Sequence, residues 1–207
     1  TASVNGLAIG VTAAGDVAKD RIAYRSGAKP NDLICLSGDL GAAYMGLHLL
    51  EREKRACGGQ PDPKPKFEGH EYILGRQLKP EARTDIIERL AEAGIVPTSM
   101  IDITDGLASE TLHLCKSSGC GARIYLDRLP IARQTHDMAE ELHADPVVAA
   151  LNGGQDYELL FTVPLSKQQE IFALGVDVIG HVTAAGTGAM LVTPDGSEIA
   201  LKAPGWK

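Results

Sequence analysis

Two aspartates three residues apart stand out as the side chains in this sequence that could bind a metal ion. The stretch Asp102-Ile-Thr104-Asp105-Gly106 falls where an apolar segment gives way to a helical pattern that begins at Leu107. Carboxylate and hydroxyl oxygens at such a junction suit Mg²⁺, and the free N–H groups of a helix start can bind a phosphate. Thr104 or Asp105 could instead cap the helix. Spacing alone leaves the metal and capping interpretations open.

A second candidate is the stretch Gly153-Gly154-Gln155-Asp156-Tyr157-Glu158. Paired glycines let a backbone approach a ligand closely, and they also form ordinary turns. The apolar residues that follow predict a strand from Tyr157 to Val163. On that strand Asp156 and Glu158 would share one face.

Arg25 and Trp206 complete the set of candidate ligand-contacting residues. Arg25 lies in a turn of small residues, where it could pair with a phosphate, stack on a base or simply be solvated. Trp206 is the one tryptophan and stands next to the last residue of the chain. Its ring could pack the tail onto the core or offer a flat stacking surface.

Composition excludes several classes of protein. The 207 residues carry 20 Lys+Arg against 27 Asp+Glu, a net charge of −7, and 44% are hydrophobic. That apolar fraction supports a folded core rather than disorder. The acidic balance and the 4% aromatic content argue against a nucleic-acid binder. No apolar run approaches a membrane span, and no P-loop, GxGxxG, HExxH or GxSxG motif occurs.

The four cysteines indicate a reducing cytoplasm more than a metal centre. Cys35, Cys57, Cys115 and Cys120 form no CxxC pair. Cys115 and Cys120, with His113, give a weak zinc pattern. We therefore interpret the four as thiols that are buried or have no functional role.

These residues must be positioned by a mixture of strands and helices. Alternation predicts strands at residues 7–12, 33–36, 95–103, 123–126, 157–163 and 176–182, and a hairpin turning at Pro194-Asp195-Gly196. Helical spacing predicts helices at about 40–55, 68–78, 80–93, 107–116, 132–142, 146–151 and 167–174, with Pro80 in a first turn. The class is α+β, a layered mixed sheet with helices. A strand at 7–12 with no earlier partner suggests that residues 1–20 end a preceding domain and that 21–207 form a second one.

Several of these stretches together resemble the thiamine-monophosphate kinase family of the aminoimidazole-ribonucleotide-synthetase-like superfamily. The matching stretches are YRSGAKPND (24–32), LSGDLG (36–41), LKPEAR (78–83), IDITDGLASE (101–110), SGCGARI (118–124) and GGQDYELLFTV (153–163). The resemblance covers nearly the whole chain. It implies the C-terminal α+β domain of that superfamily, preceded by the last strand of an ATP-binding domain.

The resemblance implies an intact enzyme that phosphorylates thiamine monophosphate to thiamine diphosphate with ATP and Mg²⁺. It implies Asp102 and Asp105 as magnesium ligands, Thr104 and Arg25 as ATP contacts, and Gln155 and Trp206 as substrate contacts. Gln155 departs from the family, which usually has Glu there, so the amide keeps hydrogen bonding but loses charge. No side chain is assigned as an acid, base or nucleophile.

The same resemblance implies a cytoplasmic enzyme that forms a homodimer when intact, with no nucleic-acid or membrane partner. The chain by itself would lack the upstream acidic residues and be inactive. A related ATP-dependent enzyme of the superfamily, of the aminoimidazole-ribonucleotide or selenophosphate synthetase type, is the nearest alternative. A non-catalytic binding or dimerisation module is the alternative from another class.

Overall fold

The computed structural model describes residues 2–3, 6–7, 9–59 and 64–203. In these ranges the strands are Ala2–Ser3 (β1), Gly6–Leu7 (β2), Leu33–Leu36 (β3), Ser99–Asp102 (β4), Gly121–Tyr125 (β5), Leu159–Val163 (β6), Asp177–Thr183 (β7), Ala189–Val192 (β8) and Glu198–Ala200 (β9). The α-helices are Ala42–Cys57 (α1), Glu71–Leu78 (α2), Thr84–Glu92 (α3), Leu107–Ser118 (α4), Arg133–Glu141 (α5), Pro146–Asn152 (α6) and Gln168–Ala173 (α7).

Seven of these strands form one mixed sheet in the order β4-β6-β3-β7-β5-β8-β9. Neighbouring strands of this sheet are antiparallel except for β5 and β8, which run parallel. The short strands β1 and β2 pair with each other. The register sets Asp102 of β4 opposite Leu159 of β6, so the end of β4 and the start of β6 meet at one corner of the sheet.

The sheet carries helices on both faces, as its interior strand β3 shows. All four residues of β3 are buried, and successive side chains of a strand point to opposite faces. Ile34 and Leu36 pack in a core with residues of α4 and α6. Leu33 and Cys35 pack in a second core with residues of α3 and α7. This layered arrangement confirms the predicted α+β class.

A third apolar cluster joins α1, α2, α5 and α6. Helix α2 approaches α1 closely at Gly46, where an added Cβ would lie 2.5 Å from the carbonyl oxygen of Ile73. Such a distance leaves no room for a side chain, so Gly46 sets the spacing of the two helices. This packing brings Arg76 of α2 toward the corner of the sheet where β4 ends.

The structure corrects two of the predicted elements. Residues 9–18 have no regular structure, so the predicted strand at 7–12 is wrong. Ile9 and Val11 are 79% and 89% exposed, because no neighbouring strand in the described ranges pairs with this segment. Pro80 does not open a helix, since α3 begins at Thr84. In the described part of the chain, no helix is long and apolar enough to span a bilayer.

Candidate functional site

The junction between β4 and α4 presents two exposed carboxylates, those of Asp102 and Asp105. Thr104 lies between them, and its hydroxyl donates a hydrogen bond to Asp102 Oδ2 at 2.9 Å. The residue before α4 is Gly106, and among the described residues no side chain caps this helix. The capping interpretation of Thr104 and Asp105 is therefore wrong. Both carboxylates are left facing solvent at a strand end.

The buried side chain of Glu110 stabilises the turn between the two aspartates. Sequence reasoning missed this residue. Its side chain is buried, with 3% exposed, and Oε1 accepts a hydrogen bond from the Asp105 N–H at 3.2 Å. Burial raises the pKa of this carboxyl. The signal in the sequence was a glutamate on the apolar face of α4, where a charge is unusual.

The segment 153–158 lies directly against this junction. Gln155 N donates to Thr104 O at 2.8 Å, and Tyr157 N donates to Ile103 O at 2.9 Å. At Gly154 an added Cβ would lie 2.3 Å from Thr104 O. The close approach that the paired glycines permit is therefore to the chain's own backbone. As a result, Gln155 is a neighbour of Thr104 and joins the two aspartates in one cluster.

The same segment is not the strand that we predicted to begin at Tyr157. Gln155 and Tyr157 have φ values of 64° and 53°, in the left-handed region that non-glycine residues seldom adopt. Regular pairing starts at Leu159. Asp156 and Glu158 are both buried, as expected for residues on one side, while Gln155 and Tyr157 are half-buried.

Asp156 fixes this segment to the turn before α1. Its two carboxylate oxygens accept hydrogen bonds from the Gly41 N–H at 3.1 and 3.0 Å. With 3% of its surface exposed, the carboxylate has lost most of its hydration. Burial accordingly raises the pKa of Asp156 to about 7.

The 80–83 segment, part of the LKPEAR stretch, forms one wall of a cavity beside Asp102. This cavity has a volume of about 360 Å³ and is lined by Pro80, Glu81, Ala82, Arg83, Asp102, Tyr157 and Leu159. A larger cleft of about 670 Å³ lies on the other side of the segment, with Arg76, Arg83 and Glu158 among its lining residues. The smaller cavity combines apolar walls with a few charged groups, as small-molecule sites commonly do.

Among the described residues, Arg25 has no hydrogen bond or ion pair with this cluster. Arg25 is exposed, and the carbonyl of the preceding Tyr24 accepts a hydrogen bond from Met100 N at 2.8 Å. The Gly27 N–H donates to Ser118 Oγ at 3.2 Å, so this turn is tied to the end of α4. Trp206 lies outside the described residues.

The donor set at the junction suits a hard cation. Within the described ranges no three His, Cys, Asp or Glu side chains form a ready-made metal site. Asp102 and Asp105 nevertheless offer exposed carboxylate oxygens beside the half-buried Thr104 hydroxyl, and Mg²⁺ commonly binds through one or two carboxylates with water and substrate phosphates. The residues present therefore fit a magnesium ion that is completed by its ligands. All four cysteines are free thiols.

Comparison with known proteins gives consistent matches. Residues 29–193 match the family model described as AIR synthase related protein, C-terminal domain. The thiamine-monophosphate kinase of Aquifex aeolicus (strain VF5) is 32% identical over 189 residues, which cover 91% of this chain and 55% of that protein. That of Escherichia coli (strain K12) is 36% identical over 202 residues, covering 93% and 56%.

A solved structure gives the same result for the fold. AaThiL complexed with AMPPCP and TMP is 32% identical, with a TM-score of 0.71, over 90% of this chain and 54% of that chain. These matches confirm the resemblance to thiamine-monophosphate kinases that the motifs predicted. The chain spans about half the length of the curated relatives it matches.

Proposed function

Since this chain belongs to the AIR synthase related proteins through their C-terminal domain, we propose that the protein carrying it transfers the γ-phosphoryl group of ATP to thiamine monophosphate. The observation that carries this proposal is the cluster at the end of β4. There, two exposed carboxylates and a hydroxyl (Asp102, Asp105 and Thr104) lie around one strand end, and the backbone N–H of Gln155 donates to Thr104 O. The two relatives described above, from Aquifex aeolicus and Escherichia coli, are thiamine-monophosphate kinases.

The proposed reaction needs positioning and charge neutralisation more than acid–base chemistry. A phosphate oxygen of thiamine monophosphate attacks the γ-phosphorus of ATP, a new P–O bond forms, and the bond to the β-phosphate oxygen breaks to release ADP. The nucleophile is already anionic, so it needs no strong base. Phosphoryl transfer depends mainly on alignment and on stabilising charge over the phosphoryl oxygens.

Asp102 and Asp105 would hold the magnesium, which when bound offsets the repulsion between two polyanionic substrates. Thr104 would contact the nucleotide through its hydroxyl, which now donates to Asp102. Arg25 would reach an ATP phosphate from its exposed turn. Neither aspartate is enclosed by the protein, so phosphate oxygens have access to both.

Gln155 and Trp206 would contact thiamine monophosphate. The amide of Gln155 can donate and accept hydrogen bonds but carries no charge to attract the thiazolium ring. Trp206 would stack on the ring system. The cytoplasm as compartment, a homodimer of the intact enzyme and a domain boundary near residue 20 stay predictions.

A substrate panel tests this proposal against its nearest rival. The full-length protein is incubated with ATP and Mg²⁺ and, in parallel, with thiamine monophosphate, formylglycinamidine ribonucleotide or selenide, and the products are identified by mass spectrometry. We expect thiamine diphosphate in the first reaction and no product in the others. A product in either of the other reactions would favour a synthetase, and ligand binding without turnover would favour a non-catalytic module.

A further inference from the structure

Glu158 is a buried carboxylate next to the candidate site, with 1% of its surface exposed. Its Oε1 accepts a hydrogen bond from Arg76 Nη1 at 2.9 Å, and its Oε2 accepts hydrogen bonds from Arg83 Nη1 and Ser37 Oγ. Removing a carboxylate from water is costly unless donors replace its hydration. Two guanidinium groups and a hydroxyl do so here, and they hold the carboxylate in one place.

The two arginines are themselves anchored to the backbone around them. Arg83 Nη1 also donates to Ser37 O at 2.8 Å. Arg76 Nη2 donates to Asp39 O at 3.0 Å and to Asp156 O at 3.3 Å. Helix α2, the segment before α3 and the turn after β3 therefore converge on Glu158. Arg83 also lines the cavity beside Asp102, so this cluster adjoins the candidate site.

That segment needs such anchoring because its conformation is unusual. Gln155 and Tyr157 are left-handed, and they alternate with the buried carboxylates of Asp156 and Glu158. Left-handed non-glycine residues persist where the surrounding structure over-determines them. The backbone of Glu158 is also bound to the junction between β4 and α4, because Ile103 N donates to Glu158 O at 2.8 Å.

We propose that Glu158, held by Arg76 and Arg83, is a positioning residue for the phosphoryl transfer proposed above. Its carboxylate locks the left-handed turn, and the turn sets Gln155 against Thr104. The position of Gln155 relative to the Thr104 hydroxyl thus depends on an ion-pair cluster whose central carboxylate is buried. This inference rests on the proposed function.

The test compares Glu158→Gln with the wild type in the full-length protein. The amide keeps the shape of the side chain but loses the charge that pairs with two guanidinium groups. We expect the KM for thiamine monophosphate to rise about tenfold or more, since small misplacements near a site have large effects. The KM for ATP should stay within about twofold. Glu88→Gln, the same change at an exposed position of α3, should alter neither constant.

Amide hydrogen exchange gives a second measurement that does not need activity. The N–H groups of Gln155 and Tyr157 donate to Thr104 O and Ile103 O, and we expect both to exchange faster in Glu158→Gln. If that variant does not fold, Arg83→Lys replaces it. Lysine keeps a positive charge but cannot replace the guanidinium, whose Nη1 donates to Glu158 and Ser37 while its Nε and Nη2 donate to Asp85.

The outcomes separate this inference from the proposed function. A wild-type KM for thiamine monophosphate in Glu158→Gln, with unchanged exchange at the two amides, would overturn the positioning role. A parallel rise of both KM values, with faster exchange throughout the chain, would also overturn it, because it would mean a general loss of structure. A wild-type protein without kinase activity would overturn the proposed function, and exchange at the two amides would then decide alone whether Glu158 holds the turn.

Discussion

Replacing Gly154 by alanine probes how tightly the turn at 154–157 is packed against the junction between β4 and α4. Gly154 has a φ of 70°, and an added Cβ would lie 2.3 Å from Thr104 O and 2.9 Å from the carbonyl carbon of Asp105. These neighbours are backbone atoms, so they cannot move aside as a flexible side chain would. The alanine variant must shift the turn or the junction.

The expected loss of stability has two parts. A left-handed alanine costs about 1–2 kcal/mol, and forcing a methyl group into a filled space typically costs about 1–3 kcal/mol more. Gly175→Ala is a matched control, because Gly175 has a φ of 62° and no atom within 4 Å of the added Cβ. The first cost is common to both variants, so their difference isolates the packing cost.

Thermal unfolding of the two variants measures that difference. For a chain of this size, 1 kcal/mol shifts Tm by about 2–4 °C, so Gly154→Ala should melt roughly 2–12 °C below Gly175→Ala. In the full-length protein Gly154→Ala should also lower kcat/KM for thiamine monophosphate by about tenfold or more, with Gly175→Ala near wild type. Equal Tm values for the two variants would refute the close packing of Gly154 on Thr104 and Asp105.

Three further predictions concern individual residues. Asp102→Asn and Asp105→Asn should each lower kcat by about a hundredfold or more with little change in Tm, since both side chains are exposed; wild-type kinetics in either would remove its metal role. Trp206→Ala should raise the KM for thiamine monophosphate and leave that for ATP unchanged, and an unaltered KM would return Trp206 to a structural role. Burial raises the pKa of Asp156 in the folded protein to about 7, above its value in the unfolded chain. The stabilisation that this shift gives is therefore complete below the unfolded pKa and is lost as the pH rises through about 7. The free energy of unfolding should therefore fall by up to about 1.4 kcal/mol per pH unit between pH 4 and 7 relative to Asp156→Asn, as measured by urea unfolding; parallel pH profiles would contradict the shift.

Local sequence patterns predicted most of the regular elements. The apolar run Leu33–Leu36 is a buried central strand, and the hairpin turn at Pro194-Asp195-Gly196 joins β8 to β9. Both depend on short-range information, namely side-chain period and turn chemistry. The strand expected at residues 7–12 failed because alternation indicates a strand only where a neighbouring strand can pair with it.

The candidate site was predicted only in part, because local patterns reveal residue types but not contacts between distant segments. Asp102, Thr104, Asp105 and Gln155 stood out by residue type, and the structure brings them together. The cluster around Glu158 could not be found in this way, because Arg76 and Ser37 lie 82 and 121 positions away along the chain. These contacts form because α2 packs near the corner of the sheet. The periodicity of neighbouring residues gives no information about such packing.

The transfer of labelled phosphate tests the central claim most directly. The full-length protein is incubated with Mg²⁺, thiamine monophosphate and ATP labelled at the γ-phosphate, and the products are separated. We predict that the label appears in thiamine diphosphate, with one ADP formed for each product molecule. Label found in inorganic phosphate alone, or ATP left intact by folded protein at saturating Mg²⁺, would contradict the assignment of this site to thiamine-monophosphate phosphorylation.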